Sequence, residues 1–143
     1  MTISIGSDHA GFALKQEVIK HLQEKNHKVI DKGCYSEERA DYPDHGHAVA
    51  NSVLAKECEL GIVICGSGNG INMSVNKHKG IRGALCWNSE VAALSRQHNN
   101  ANVMALPARF ISKEEAFACT DAFISATFEG GRHQDRIEKI ENC

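Results

Sequence analysis

Ile62-Val63-Ile64-Cys65-Gly66-Ser67-Gly68-Asn69-Gly70 is the stretch from which the fold can be read. Ile62 to Cys65 is a continuous apolar run, and a strand reads this way when both of its faces are covered. Glycines at 66, 68 and 70 stop the run, and a short helix is expected to follow to about Lys77. A doubly covered strand followed directly by a helix is the unit of a parallel sheet sandwiched between helices. The same alternation continues outward. Upstream, Ile3 and Ile5 begin a short strand that Gly6 ends. Leu14, Val18 and Leu22, spaced by four with Ile19 beside them, mark a helix, and Val29-Ile30 is a second strand. Residues 32–43 are polar and irregular, and Asp44 can cap a helix with Val49 and Val53 on one face. Downstream, Ala84-Leu85-Cys86 is a fourth strand, and Asn88 or Ser89 can cap a helix through Val91 and Leu94 to about His98. Val103-Met104-Ala105-Leu106 is a fifth strand. Ser112 and Glu115 form an S-x-x-E capping box opening a helix with Phe117, Phe123 and Ile124. Gly130-Gly131 breaks that helix, and Arg132 to Ile140 forms a last short one.

Five strands alternating with helices over 143 residues predict one domain, residues 1–143, of the α/β class. The expected architecture is a doubly wound, five-stranded parallel sheet between two layers of helices. The common order 2-1-3-4-5 puts a topological switch between strands 1 and 3, and ligands bind there, outside the carboxyl ends of the strands. The loops facing that crevice are Ser7-Asp8-His9 and Cys65 to Gly70.

Composition narrows the function. Apolar residues make up 42% and charged residues 24% of the chain, which fits a globular protein and not a disordered one. No run of 18 apolar residues exists, so no membrane helix is expected. The net charge of −2, with 6% aromatics and no basic–aromatic platform, argues against nucleic-acid binding. Met1 to Ile5 starts on an alternating apolar pattern without a basic region or a long apolar core, so no secretion signal is expected. None of the six cysteines forms C-x-x-C, and a reduced, cytoplasmic protein is expected. His45 and His47 diverge on a helix and lack an H-x-x-x-H partner, so no metal is expected.

Several constellations can carry chemistry. The loop of Gly66, Ser67, Gly68, Asn69 and Gly70 leads into a helix N-terminus, which suits a phosphate or an oxyanion as well as it suits a plain tight turn. It is not a dinucleotide fingerprint, because position 71 is Ile71, and no Gly-Lys-Ser/Thr makes it a Walker loop. Cys65, at the end of the central strand, can be a nucleophile, a proton-transfer base or an inert buried thiol. Asp8 and His9 close strand 1 at the same crevice. Asp8 can accept hydrogen bonds from hydroxyls and His9 can donate to a phosphate, against the alternative of a helix cap beside an exposed histidine. Arg132 and Arg136, four apart on one helix face, suit a phosphate or a solvated surface, and Arg109 is a further cation past strand 5. His98 ends a helix that starts at the carboxyl edge of the sheet. About ten residues at 1.5 Å each carry it roughly 15 Å back to the opposite edge. If His98 and Cys65 share a site, that site joins two subunits.

Five segments in order resemble the type B ribose-5-phosphate isomerases, within the sugar-phosphate isomerases that include galactose-6-phosphate isomerase subunits. They are Gly6-Ser7-Asp8-His9-Ala10-Gly11-Phe12, Asp41-Tyr42-Pro43, Cys65 to Gly70, Ser95-Arg96-Gln97-His98-Asn99, and Glu129-Gly130-Gly131-Arg132-His133. The resemblance implies a Rossmann-like or flavodoxin-like sheet, a homodimer or dimer of dimers with sites shared between subunits, and no cofactor. It makes Cys65 the base that moves a proton between C1 and C2. Residues 66–70 hold the enediolate oxygens, with Ser67 and Asp8 among the catalytic groups, and His98 opens the sugar ring. Asp8 and Asn99 contact sugar oxygens, His9, Arg132 and Arg136 bind phosphate, and Arg109 is a further contact. Ser67 is often threonine in relatives. A second branch lacks the cysteine and carries glutamate where this chain has Ile71, so this chain fits the cysteine branch. The activity implied is ribose 5-phosphate to ribulose 5-phosphate, in the non-oxidative pentose phosphate pathway. Allose 6-phosphate and galactose 6-phosphate are within-class variants. A non-catalytic sugar-phosphate sensor and a thiol-based transferase are the alternatives of another class.

Overall fold

The computed structural model describes all 143 residues. The chain runs β1 (Thr2–Ser7), α1 (Phe12–Glu24), β2 (Lys28–Asp31), α2 (Tyr42–Leu54), β3 (Leu60–Cys65), α3 (Asn69–Val75), β4 (Gly83–Leu85), α4 (Ser89–Asn99), β5 (Val103–Pro107), α5 (Lys113–Ser125) and α6 (Arg132–Glu141). All pairings in the five-stranded sheet are parallel.

Residues of the central run alternate between two cores. Ile62 and Ile64 join Ile3, Ile5, Met104 and Leu106 against Val18 of α1, Ala92 of α4 and Phe123 of α5. Val63 and Cys65 face the other way, with Ala105, against Val49 of α2 and Ile71 and Val75 of α3. Helices therefore cover both faces, and the uninterrupted apolar reading of β3 follows from that double cover.

The strand order corrects the expectation of 2-1-3-4-5: it is β2-β1-β3-β5-β4. β5 is buried along its whole length and takes the interior place beside β3. β4 has three residues, all half-buried, and takes the edge. The chain covers its longer apolar strand and leaves the short one outside. The β1/β3 adjacency survives this change, so the expected crevice is kept.

Helix starts agree with the expected caps except in α2. Asn88 Oδ1 accepts the Val91 N–H at 2.9 Å, and Ser112 Oγ accepts the Glu115 N–H at 3.1 Å. In α2 the N-cap is Asp41, not Asp44. Pro43 stands in the first turn, where its missing N–H has no intrahelical acceptor to lose. Asp44 lies within that turn, where its charge suits the helix dipole. β1 runs through Gly6 to Ser7, α3 ends at Val75 rather than Lys77, and Cys86 lies just past β4.

Candidate active site

Two loops meet at the carboxyl edge of β1 and β3. The Asp8 N–H donates to the Ile64 carbonyl at 3.2 Å, tying one loop to the other. The Asp8 carboxylate accepts the Gly11 N–H at 3.0 Å. A Cβ on Gly11 would stand 2.7 Å from the Ile64 carbonyl oxygen, so this crossing requires glycine. His9 Nδ1 is held against the Ala40 backbone, 3.1 Å from its N–H and 3.2 Å from its carbonyl oxygen. Asp8 and His9, with Arg39, Tyr42 and Asp44, line a cavity of about 430 Å³.

Cys65 ends β3 almost covered, with 4% of its surface exposed. Its carbonyl accepts the Ala108 N–H at 2.9 Å, and the Gly66 carbonyl accepts the Arg109 N–H at 3.0 Å. The Arg109 guanidinium lies over Gly66, 3.1 Å from where a Cβ would be. Gly68 caps α3 in the left-handed region, at φ 76°. Ser67 is exposed, and its Oγ accepts the Asn69 N–H at 3.3 Å. First-turn amides of a helix have no intrahelical acceptor, so this turn offers donors to an oxyanion. Tyr42 flanks the same loop: its ring lies 2.5 Å from a Cβ built on Gly70. Tyr42 belongs to the Asp41-Tyr42-Pro43 segment, whose spacing alone assigns it no role. Its only sequence signal is an aromatic residue at the start of a helix entering the crevice.

Of the remaining thiols, Cys86 and Cys119 lie in the core. Burial pushes the Cys86 thiol up to about 11 and the Cys119 thiol up to about 12. Both stay protonated near neutrality, whatever Cys65 does.

A second group gathers at the amino edge. α4 ends there: the Ala101 N–H returns to the Ser95 carbonyl, and Asn102 supplies the carbonyl that Gly61 uses at the start of β3. From Gly61 to Cys65 the strand climbs roughly 13 Å at about 3.3 Å per residue. His98 and Cys65 thus occupy opposite edges of the sheet. The His98 ring stacks on His133 with centroids 4.3 Å apart and planes 11° from parallel. Both Nε2 atoms face Glu129 Oε1, at 3.7 and 3.8 Å. The three donor atoms lie within 4.8 Å of one another. Nearly parallel rings, however, leave no point in the plane of both, so they share a carboxylate rather than converge on an ion. Removal from water, followed by the charges of His98 and Arg132, holds His133 below the usual histidine value, with Glu129 acting in the opposite sense. Arg132 and Arg136 stand exposed on α6, and Asn99 is exposed beside His98.

The chain therefore brings together Asp8, His9, Cys65, Gly66, Ser67, Gly68, Asn69, Gly70 and Arg109 at one edge. It gathers His98, Asn99, Arg132 and Arg136 around α4 and α6. Within one chain it does not unite the two groups. No helix is long and apolar enough to cross a membrane.

Residues 3–140 match the family model described as Ribose/Galactose Isomerase. Ribose-5-phosphate isomerase B of Escherichia coli strain K12 is 48% identical over 138 residues, covering 96% of this chain and 93% of the relative. A ribose 5-phosphate isomerase structure from Thermotoga maritima superposes with a TM-score of 0.98 at 47% identity, covering 99% of this chain and 98% of that one. Ribose-5-phosphate isomerase B from Mycoplasma genitalium, solved with bound ribulose-5-phosphate, superposes with a TM-score of 0.93 at 45% identity, covering 99% and 94%.

Proposed function

The chain belongs to the ribose/galactose isomerase family and interconverts ribose 5-phosphate and ribulose 5-phosphate, and we propose that Cys65 carries the proton between C2 and C1. The observation that carries this reading is the position of Cys65. It ends the central strand beside Asp8, directly before a glycine loop that opens a helix.

The chemistry follows from that place. A C–H next to a carbonyl is weakly acidic, and removing its proton requires stabilising the enediolate that forms. The amides of residues 66–70 and the Ser67 hydroxyl face the enediolate oxygens. The Cys65 thiolate takes the C2 proton and the electron pair shifts into the enediolate; the O2 hydroxyl proton passes to O1, and the thiol returns its proton to C1 on the same face. The electrons stay in the sugar, so no redox partner enters the balance. Asp8 accepts from sugar hydroxyls, His9 donates to the phosphate, and Arg109 sits over the loop as a further contact.

His98 opens the furanose ring, Asn99 holds a sugar oxygen, and Arg132 and Arg136 bind the phosphate. These groups lie at the far edge of their own chain. They therefore serve the Cys65 of a second copy, and the working unit is a homodimer or a dimer of dimers.

The test is conversion in EDTA of ribose 5-phosphate, allose 6-phosphate and galactose 6-phosphate, each assayed for its ketose. Ribose 5-phosphate is expected to turn over fastest. Preference for a six-carbon substrate would reassign the substrate, and binding without turnover of any of them would make the protein a sensor.

A further inference from the structure

Arg82, just before β4, sits at the amino edge with most of its side chain covered. Its Nε donates to the carbonyls of Asn99 at 3.1 Å and Asn100 at 3.2 Å. Nη2 donates to the Asn100 carbonyl at 3.0 Å, and Nη1 donates to Glu141 Oε1 at 2.9 Å. These carbonyls belong to the last turn and cap of α4, where a helix lacks its own donors. A second guanidinium serves the same turn: Arg96 Nη1 reaches Asn100 Oδ1 at 3.1 Å and the Ala101 carbonyl at 2.6 Å. Asn100 itself is left-handed, at φ 45°, a conformation that a lone glycine would adopt without strain.

Stopping a helix does not call for two like charges over one turn. A single glycine with backbone hydrogen bonds does so in a large share of helices. What the planar fork of Arg82 adds is orientation, because several bonds from one rigid group fix both position and rotation. Its fourth bond, to Glu141, ties the end of α4 to the end of α6, the helix that carries Arg132 and Arg136. The residues held still are therefore Asn99, through its own carbonyl, and His98 immediately before it.

We propose that Arg82 is a positioning residue for the isomerisation, fixing the last turn of α4 so that His98 and Asn99 are presented to the Cys65 site of a second copy. This rests on the shared-site reading above, and it assigns the work of Arg82 to the partner's site rather than to its own.

Hybrid dimers test that direction. Two differently tagged chains, Cys65→Ala and Arg82→Met, are co-expressed and the hybrid is purified through both tags. The Arg82→Met homodimer should lose tenfold or more in kcat for ribose 5-phosphate. In the hybrid, one site pairs an intact Cys65 with an intact Arg82 and His98 from the other chain, and about half of the wild-type rate should return. A Cys65→Ala with His98→Ala hybrid is the control for the shared site. If the control stays inactive, the shared-site reading fails and takes this inference with it. If the control recovers and the Arg82 hybrid does not, Arg82 acts within its own chain and the inference alone is overturned, as it is by an Arg82→Met homodimer with full activity. Should Arg82→Met not fold, Arg82→Lys, which keeps the charge without the fork, enters the same pairing with the same criteria.

Discussion

Cys65 owes its place to alternation along β3: the residue before it packs under α1 and α5, while its own thiol turns toward α2 and α3. The groups around it can be separated by their kinetic signatures. Ser67→Ala removes a hydroxyl from the face offered to the enediolate, and a loss in kcat on the order of 10² is expected with binding little changed. Arg136→Ala removes a charged phosphate contact worth about 1.5–3 kcal/mol, so KM for ribose 5-phosphate should rise about ten- to a hundredfold while kcat falls less. An unchanged KM would remove Arg136 from the phosphate site. Cys65, Asp8 and the glycine loop could be picked from the sequence because their residue types are unusual at strand ends facing a switch point. Tyr42 and Arg82 could not. The packing of Tyr42 on Gly70 and the reach of Arg82 to Asn100 join residues far apart in the chain, and nothing local signals either contact.

Elements, more than single contacts, hold the crevice open. Gly68 stands at φ 76°, and a Cβ there would meet Leu85 Cδ1 at 2.5 Å. Gly68→Ala should cost at least about 1–2 kcal/mol in denaturant unfolding from the backbone alone. It should also lower kcat, since α3 begins at this residue. α2 and the segment after α3 are pinned by His47 Nδ1 and His78 Nε2, 2.7 Å apart. Burial first, and His47 second, hold His78 below the usual histidine value. The unfolded chain therefore binds more protons than the folded one once pH drops below about 6.5. Stability is full above that value and should decline as pH falls through the window beneath it. The melting temperature measured from pH 7 to 5 should decrease, and His78→Asn should flatten part of the decrease. An unaltered slope would show that the pair does not respond to pH in this way. At this scale the central strand, the helix phases and most caps were legible, because each depends on local periodicity. The exchange of β4 and β5 depends instead on which strand the whole sheet covers, and the α2 cap on how Pro43 enters its first turn.

At the scale of the molecule, the sheet separates the two groups proposed to share one chemistry. Cys65 and its loop stand at one edge, and His98 with Arg132 and Arg136 stands at the other. The length of α4 alone implies that separation, and if His98 and Cys65 share a site, the site joins two copies. No local pattern marks a surface for a second copy, since exposed Tyr42, Met73, Trp87 and Phe110 are scattered along the sequence. The proposed isomerisation turns on Cys65 moving a proton. Ribose 5-phosphate carrying deuterium at C2 tests it most directly, with loss or transfer of the label followed in the wild-type protein and in Cys65→Ala while substrate binding is measured in parallel. The wild-type protein should move the deuterium with a primary isotope effect, and Cys65→Ala should bind the sugar phosphate yet leave the label at C2. Label movement by Cys65→Ala at the wild-type rate would contradict it.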